Sequence, residues 1–388
     1  MKKNTSLVIS ILLIAACLRG PVTGIGPLIT TLQADLGLSA AAAGMLTTLP
    51  LLTFAAISFA TSPISRKIGA GRTMLISLIV LLAGLVIRSF AGTVGLFAGT
   101  VIMSVGIGVN NVLLPAVIKA KFPEHIGILT GVYTTLLAGF ASLSTGTSIP
   151  LALIFGWRIA LAVWIVLVVF ALIFWIPDVN LKFDDKENSS ISADGAGRNR
   201  SVLRSPVSWW ITLFMGFQSM VFYFTVAWFA TILQGYGYTP AASGLYNMLM
   251  MLCGLPGSFI MSVVTSKTRH QSLWGAILGI LYLIGSVTLM FAYHPAGLVA
   301  TIVTNGFGSG ASLSFTMVLI NMRTKNPQEA ASLSALAQGV GYVLAAISPV
   351  LIGRIFDSAG SWTIPIVVAA AFSAVTAVCG WLSGTKKA

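Results

Sequence analysis

Carboxylates are scarce in this chain. Nine Asp and Glu stand against 22 Lys and Arg in 388 residues, and charged residues of both signs make up only 8% of the sequence. All nine acids (Asp35, Glu124, Asp178, Asp184, Asp185, Glu187, Asp194, Glu329 and Asp357) fall between apolar runs or at their ends. That placement excludes an embedded carboxylate proton relay of the kind common in pumps and transporters. Histidine is equally sparse: His125, His270 and His294 lie apart, near run ends or in loops. No Cys or His spacing suggests a metal site. Cys17, Cys253 and Cys379 each sit inside an apolar run, where they read as small apolar side chains and not as a disulfide framework. A phosphate-binding Gly-Lys-Ser/Thr element is missing, and Gly106–Asn110 lacks the strand–helix context of a nucleotide loop. Neither an enzyme nor a bound cofactor is expected.

What the chain does have is apolar length. Hydrophobic residues make up 56% of it and its mean hydropathy is +0.95, which places it with polytopic membrane proteins. Crossing a bilayer takes roughly 20 apolar residues, and twelve such spans can be counted between polar breaks: 7–33, 41–62, 72–91, 94–119, 126–152, 158–177, 206–234, 241–265, 272–293, 296–322, 328–356 and 362–383. The Lys2–Cys17 start resembles a signal peptide, but the apolar character continues past Cys17, so an uncleaved first helix is expected.

The net charge of +13 could suggest nucleic acid, yet its distribution argues otherwise. Eighteen of the 22 Lys and Arg fall in short segments on the side of the membrane that holds both termini; Arg88, Arg158 and Arg354 fall on the opposite side, near helix ends, and Arg19 lies within a span. The positive-inside rule then makes the termini cytoplasmic, and no nucleic-acid partner is needed.

Asp178–Ser205 is the one long hydrophilic stretch. Polar and poor in groups to bury, it reads as a cytoplasmic linker, 178–205, between six-span halves at 1–177 and 206–388. The halves look related. Leu36–Gly44 parallels Tyr236–Gly244 at an offset of 200, Gly106 and Gly108 parallel Gly308 and Gly310, and Gly156-Trp157 resembles Gly360-Ser361-Trp362. An all-α membrane protein of two parallel six-helix repeats is the major facilitator architecture, in which a midplane site between the halves is exposed alternately to either side. Glycines at helical spacing in spans four (Gly95, Gly99, Gly106, Gly108) and five (Gly127, Gly131, Gly139, Gly146) suit close helix packing.

Arg19 is the one charged residue placed well inside a span. It falls near the centre of the first span, where a guanidinium costs at least ~2.5–3.5 kcal/mol and needs a protein interior or wet cavity. Gly20, Pro21, Gly24, Gly26 and Pro27 follow it, so interrupted helical hydrogen bonds are expected beside the charge, tolerable where backbone is packed in protein or lines a cavity. With no acid in the spans, its charge is to be balanced by carbonyls, water, a helix C-terminus, or an anion that comes and goes. The last option makes Arg19 the cationic part of a solute site. Polar groups at similar depth complete the candidate set: Asn110 and Asn111 in span four, Tyr133 and Thr134 in span five, Gln218 and Tyr223 in span seven, Asn305 in span ten, Gln338 and Tyr342 in span eleven. Each of these amides and hydroxyls has an alternative role as a helix-to-helix hydrogen bond worth ~1–2 kcal/mol or less.

Four segments resemble the cyanate permease / 2-nitroimidazole transporter (CynX/NimT) family of the major facilitator superfamily. They are Leu18–Pro27, Leu113–Pro123 running on into Gly131–Thr135, Gly156–Trp164, and Ala335–Tyr342 running to Gly353–Trp362. The resemblance implies that Arg19, Tyr133, Thr134 and Gln338 belong to a recurring family pattern. Ser62–Arg72 resembles the superfamily's loop signature between spans two and three, but Arg66 stands where the signature's acid would be, which leaves no Asp for a latch there. The expected protein is a monomeric secondary transporter of a bacterial inner membrane. Its partners are the lipid bilayer, a small anionic or polar solute, and protons as the candidate coupling ion. A second reading is efflux of amphipathic compounds past Phe214, Met215, Phe217, Met220, Phe222 and Phe224. A third, a solute-binding sensor, would need a signalling module that the 28-residue central stretch is too short and polar to form.

Overall fold

The computed structural model describes residues 2–38, 40–181 and 204–385; most of the expected 178–205 linker lies outside them. Among the described residues no strand is present. In a bilayer an α-helix satisfies every backbone N–H and C=O within its own segment, one of the two ways to span lipid.

The chain runs through α1 (Lys2–Cys17), α2 (Gly20–Thr23), α3 (Ile29–Leu36), α4 (Ala40–Ile68), α5 (Ala70–Phe90), α6 (Gly92–Lys121), α7 (Ile126–Ala162) and α8 (Trp164–Trp175). After the linker come α9 (Pro206–Gly235), α10 (Pro240–Lys267), α11 (Gln271–Leu289), α12 (Pro295–Met322), α13 (Pro327–Ala359) and α14 (Thr363–Gly384). Together α1 to α3 form the first span. At Gly156, φ is +80° inside α7, a backbone conformation open to glycine, and this splits the helix into spans five and six. Span ten, α12, is not among the ten stretches apolar enough to be recognised as membrane spans by hydropathy alone; its Thr, Asn, Gly and Ser residues lower its average. Leu153 and Val94 are each 82% exposed, and so apolar a surface suits lipid, not water.

The repeat is visible in the backbone. Gly37 and Gly237 both have positive φ, as do Gly156 and Gly360; these are the pairs aligned by the sequence offsets.

Contacts divide the chain into two compact units. The first comprises Met1–Pro123, Leu136–Asp194 and Asn326–Ala335; the second comprises Glu124–Thr135, Gly195–Lys325 and Leu336–Ala388. The division therefore passes through α7 and α13 as well as through the linker region. In the first unit, α5 and α6 approach closely: a Cβ at Gly84 would meet the Met103 backbone, and one at Gly106 would meet the Ser77 carbonyl. In the second, Gly275 of α11 meets Gly380 of α14 in the same way, and Gly310 of α12 meets Gly254 of α10. Small residues bring backbones together in both units. Gly127 of α7 packs on Ser266 of α10 within the second unit, where the Ser262 hydroxyl donates to the Gly127 carbonyl at 2.7 Å.

At the loop after α12, Arg323 donates to Gln271 Oε1 at 2.6 Å and to the Gly384 carbonyl at 2.7 Å. Burial lowers the pKa of this guanidinium from its ordinary value.

Candidate functional site

The first span breaks where its prolines require. Pro21 has no N–H to give the carbonyl four residues earlier, and α1 ends at that residue, Cys17. Pro27 stands in the same relation to Thr23, where α2 ends. Arg19 sits in the first break, with φ −116° and ψ −41°, and its side chain is half-buried while Leu18, Gly20 and Pro21 are buried.

Other helices of the same unit take up the carbonyls around the break. The Arg19 carbonyl accepts from Val22 N and Thr23 N at 3.0 Å, and from Thr23 Oγ1 at 3.2 Å. The single Thr23 hydroxyl proton is shared between that carbonyl and the Ala141 carbonyl of α7, 3.1 Å away. One turn further along α7, Ser144 Oγ donates to the Gly20 carbonyl at 2.7 Å. The Trp164 ring of α8 covers Gly20 so closely that a Cβ there would collide with it. Ile25, Leu28 and Leu32 continue the span into an apolar cluster with Leu46, Leu96, Trp157 and Leu161. The turn carrying Arg19 is thus tied by hydrogen bonds and anchored by packing.

A second arginine completes the clamp. Arg88, in the last turn of α5, is 0% exposed. Its Nη1 donates to the Pro21 carbonyl at 2.6 Å and its Nη2 to the Leu161 carbonyl at 3.3 Å. The charge count along the sequence had set Arg88 with the helix-end cations facing the non-cytoplasmic side. Its place in the last turn of an apolar run is legible in the sequence, but its burial is not. Ser144 and Trp164 carried no comparable mark.

The remaining sequence candidates separate by unit. In the first, Asn110 Nδ2 donates to Ser77 Oγ at 2.7 Å and to the Gly106 carbonyl at 2.8 Å, joining α6 to α5; Asn111 is half-buried on the same helix. In the second, Tyr342 donates to Gln338 Oε1 at 3.4 Å, and Tyr133 is buried near Tyr342. Thr134 Oγ1 lies 2.7 Å from Ser314 Oγ of α12. Gln218 Nε2 turns to Ser219 Oγ at 2.8 Å and the Met215 carbonyl at 3.2 Å. Tyr223 meets the edge of Phe222. Asn305, with buried Tyr282, lines a small cleft between α9, α10, α11 and α12 whose free volume of about 10 Å³ suits one water molecule. The structure therefore groups Tyr133, Gln338 and Tyr342, and sets Asn305 in a cleft with Tyr282. The aromatic set of α9 is largely core: Phe214, Met215, Met220 and Phe224 are buried, and Phe214 packs on Phe315 of α12.

Beyond the break, Asp35 at the end of α3 accepts from Trp157 Nε1 at 2.7 Å and lies 3.8 Å from Arg158 Nη1. The Arg158 guanidinium stacks over the Trp157 ring at 4.3 Å.

Comparison with known proteins agrees with this architecture. The chain is 36% identical over 388 residues to the 2-nitroimidazole transporter of Escherichia coli (strain K12), covering 100% of this chain and 97% of that protein. It is 24% identical over 361 residues to the cyanate transport protein CynX of the same organism, covering 92% and 91%. Among solved structures, the transporter FucP in its outward conformation superposes with a TM-score of 0.77 at 14% identity, covering 98% of this chain and 100% of that one, which shows a shared fold. The family model of the Major Facilitator Superfamily matches residues 11–349. With a family model that matches most of its length and named relatives that are transporters along nearly their whole length, this chain belongs to the Major Facilitator Superfamily, in its cyanate permease / 2-nitroimidazole transporter branch, and is a multi-pass membrane transporter, not an enzyme.

Proposed function

We propose that the protein is a secondary transporter that moves a small anionic or polar solute by alternating access, with Arg19 as the cationic part of its solute site. The observation that carries this reading is the half-buried Arg19 side chain on a clamped helix break. An arginine at membrane depth is costly and is retained where it has work to do in a pathway. A planar guanidinium binds oxyanions and delocalised anions in a fork that lysine cannot reproduce. Cyanate and 2-nitroimidazole, the solutes for which two relatives are named, support a solute class that is small, planar or linear, and anionic or able to become so by losing a proton.

Asn110 and Asn111 are the proposed polar companions of Arg19 in the first unit, and Tyr133, Thr134, Gln218, Tyr223, Asn305, Gln338 and Tyr342 are the proposed polar candidates of the second. Protons are the candidate coupling ion, and all nine carboxylates lie outside the spans. The excess of basic residues in the loops on one side supports cytoplasmic termini in a bacterial inner membrane, and a monomer is sufficient for the cycle. Burial of Phe214, Met215, Met220 and Phe224 weighs against a large aromatic pocket for amphipathic compounds. Ligand-induced thermal shift tests the site: sodium cyanate and 2-nitroimidazole are expected to raise the Tm of purified protein and to leave that of Arg19→Ala unmoved. Equal shifts in both proteins would remove Arg19 from the site.

A further inference from the structure

We propose that Arg88 is a positioning and specificity-determining residue for the Arg19 site, a role that rests on the reading of Arg19 given above. Three features lead to it. First, the guanidinium is wholly buried, and among the described residues no carboxylate forms an ion pair with it. Second, its two bonds end on carbonyls beside helix breaks: Pro21 in the four-residue α2, and Leu161 one residue before the end of α7. Carbonyls at such breaks lack helical N–H partners and carry partial negative charge, so two of them converge on one cation. Third, Pro21 is two residues from Arg19, on the same short turn.

The consequence is both mechanical and electrostatic. One planar fork bridges Pro21 and Leu161 and so ties the turn to α7, on which Ser144 already holds Gly20. Lysine offers a point charge on a flexible stem and would not hold both carbonyls in that geometry. Electrostatically, Arg88 offsets the carbonyl ends that would otherwise lower the potential beside Arg19 and repel an anion. Its Nε has no hydrogen-bond partner among the described residues, so this charge is not quenched by a full set of acceptors. The ligand class that follows is an anion, preferred over a neutral solute of the same size.

The test separates the two effects. In a background with Cys17, Cys253 and Cys379 replaced by alanine, Arg19→Cys is labelled with an anionic and a cationic methanethiosulfonate of similar size, and the ratio of the two rates reports local potential. Adding Arg88→Gln is expected to lower the anion-to-cation ratio by about tenfold or more, because loss of a positive charge slows the anionic reagent and speeds the cationic one; Arg88→Lys is expected to keep it within about twofold. An unchanged ratio in Arg88→Gln overturns the electrostatic role. Arg88→Lys, with Arg19 in place and the charge retained, addresses positioning: cyanate uptake into proteoliposomes is expected to show a KM raised about tenfold with the maximal rate nearly unchanged. A wild-type KM for Arg88→Lys, with only its Tm lowered, would make Arg88 a purely structural residue. Failure of the Arg19 reading looks different, because Arg19→Ala would then transport normally whatever the Arg88 variants do.

Discussion

Thr134 and Ser314 are 180 residues apart and their hydroxyl oxygens are 2.7 Å apart, both buried. Thr134 comes from the first six spans of the sequence, yet it belongs to the compact unit built mainly from the last six. Hydrogen bonds between helices in a membrane average about 0.6 kcal/mol. Thr134→Val keeps the side-chain shape and removes the bond, so a small drop in Tm is expected. The double-mutant cycle with Ser314→Ala should return a coupling of about 0.5–1 kcal/mol. Additive losses would show that the two hydroxyls are neighbours without being partners.

Gly20 is predicted to tolerate no side chain. Its Cβ would run into the Trp164 ring, and that ring is packed edge-on against Phe140 at 6.2 Å. Gly20→Ala should therefore displace the turn that carries Arg19. A loss of about 1–3 kcal/mol is typical of overpacking, and the solute-induced thermal shift should fall more than Tm itself. Restoration of the shift by Trp164→Leu in the same chain would locate the clash; a normal shift in Gly20→Ala alone would contradict the close packing.

Much of the first span was legible because proline acts locally. Pro21 and Pro27 mark, four residues upstream of each, where α1 and α2 end. The repeat was legible through Gly37 with Gly237 and Gly156 with Gly360, since a left-handed backbone needs glycine at both copies. What joins helices was not. Serine and threonine in a membrane helix bond to their own preceding turn or to a neighbour, and sequence does not say which. Ser148 bonds within α7 while Ser144, one turn earlier, reaches Gly20. The burial of Arg88 was missed for a related reason: an arginine near a helix end can extend outward to water or inward to carbonyls, and only the presence of Pro21 and Leu161 decides between them.

Asp35 is predicted to be dispensable for proton coupling. Its carboxylate accepts from Trp157 and faces Arg158 with both charged side chains 48% exposed, a pair of the kind worth at most ~1 kcal/mol. Asp35→Asn should lower Tm slightly and leave stimulation of uptake by an imposed pH gradient intact, because the carboxylate is already engaged by Trp157 and Arg158. Loss of that stimulation with solute binding preserved would make Asp35 the proton carrier.

The most direct test of the account is transport by the purified protein in proteoliposomes, with radiolabelled cyanate and 2-nitroimidazole, comparing wild type with Arg19→Ala and Arg19→Lys after all three are shown to be folded and inserted. The account predicts saturable uptake in the wild type and loss of it in both variants, because neither offers the planar fork. Wild-type uptake by Arg19→Ala would contradict it.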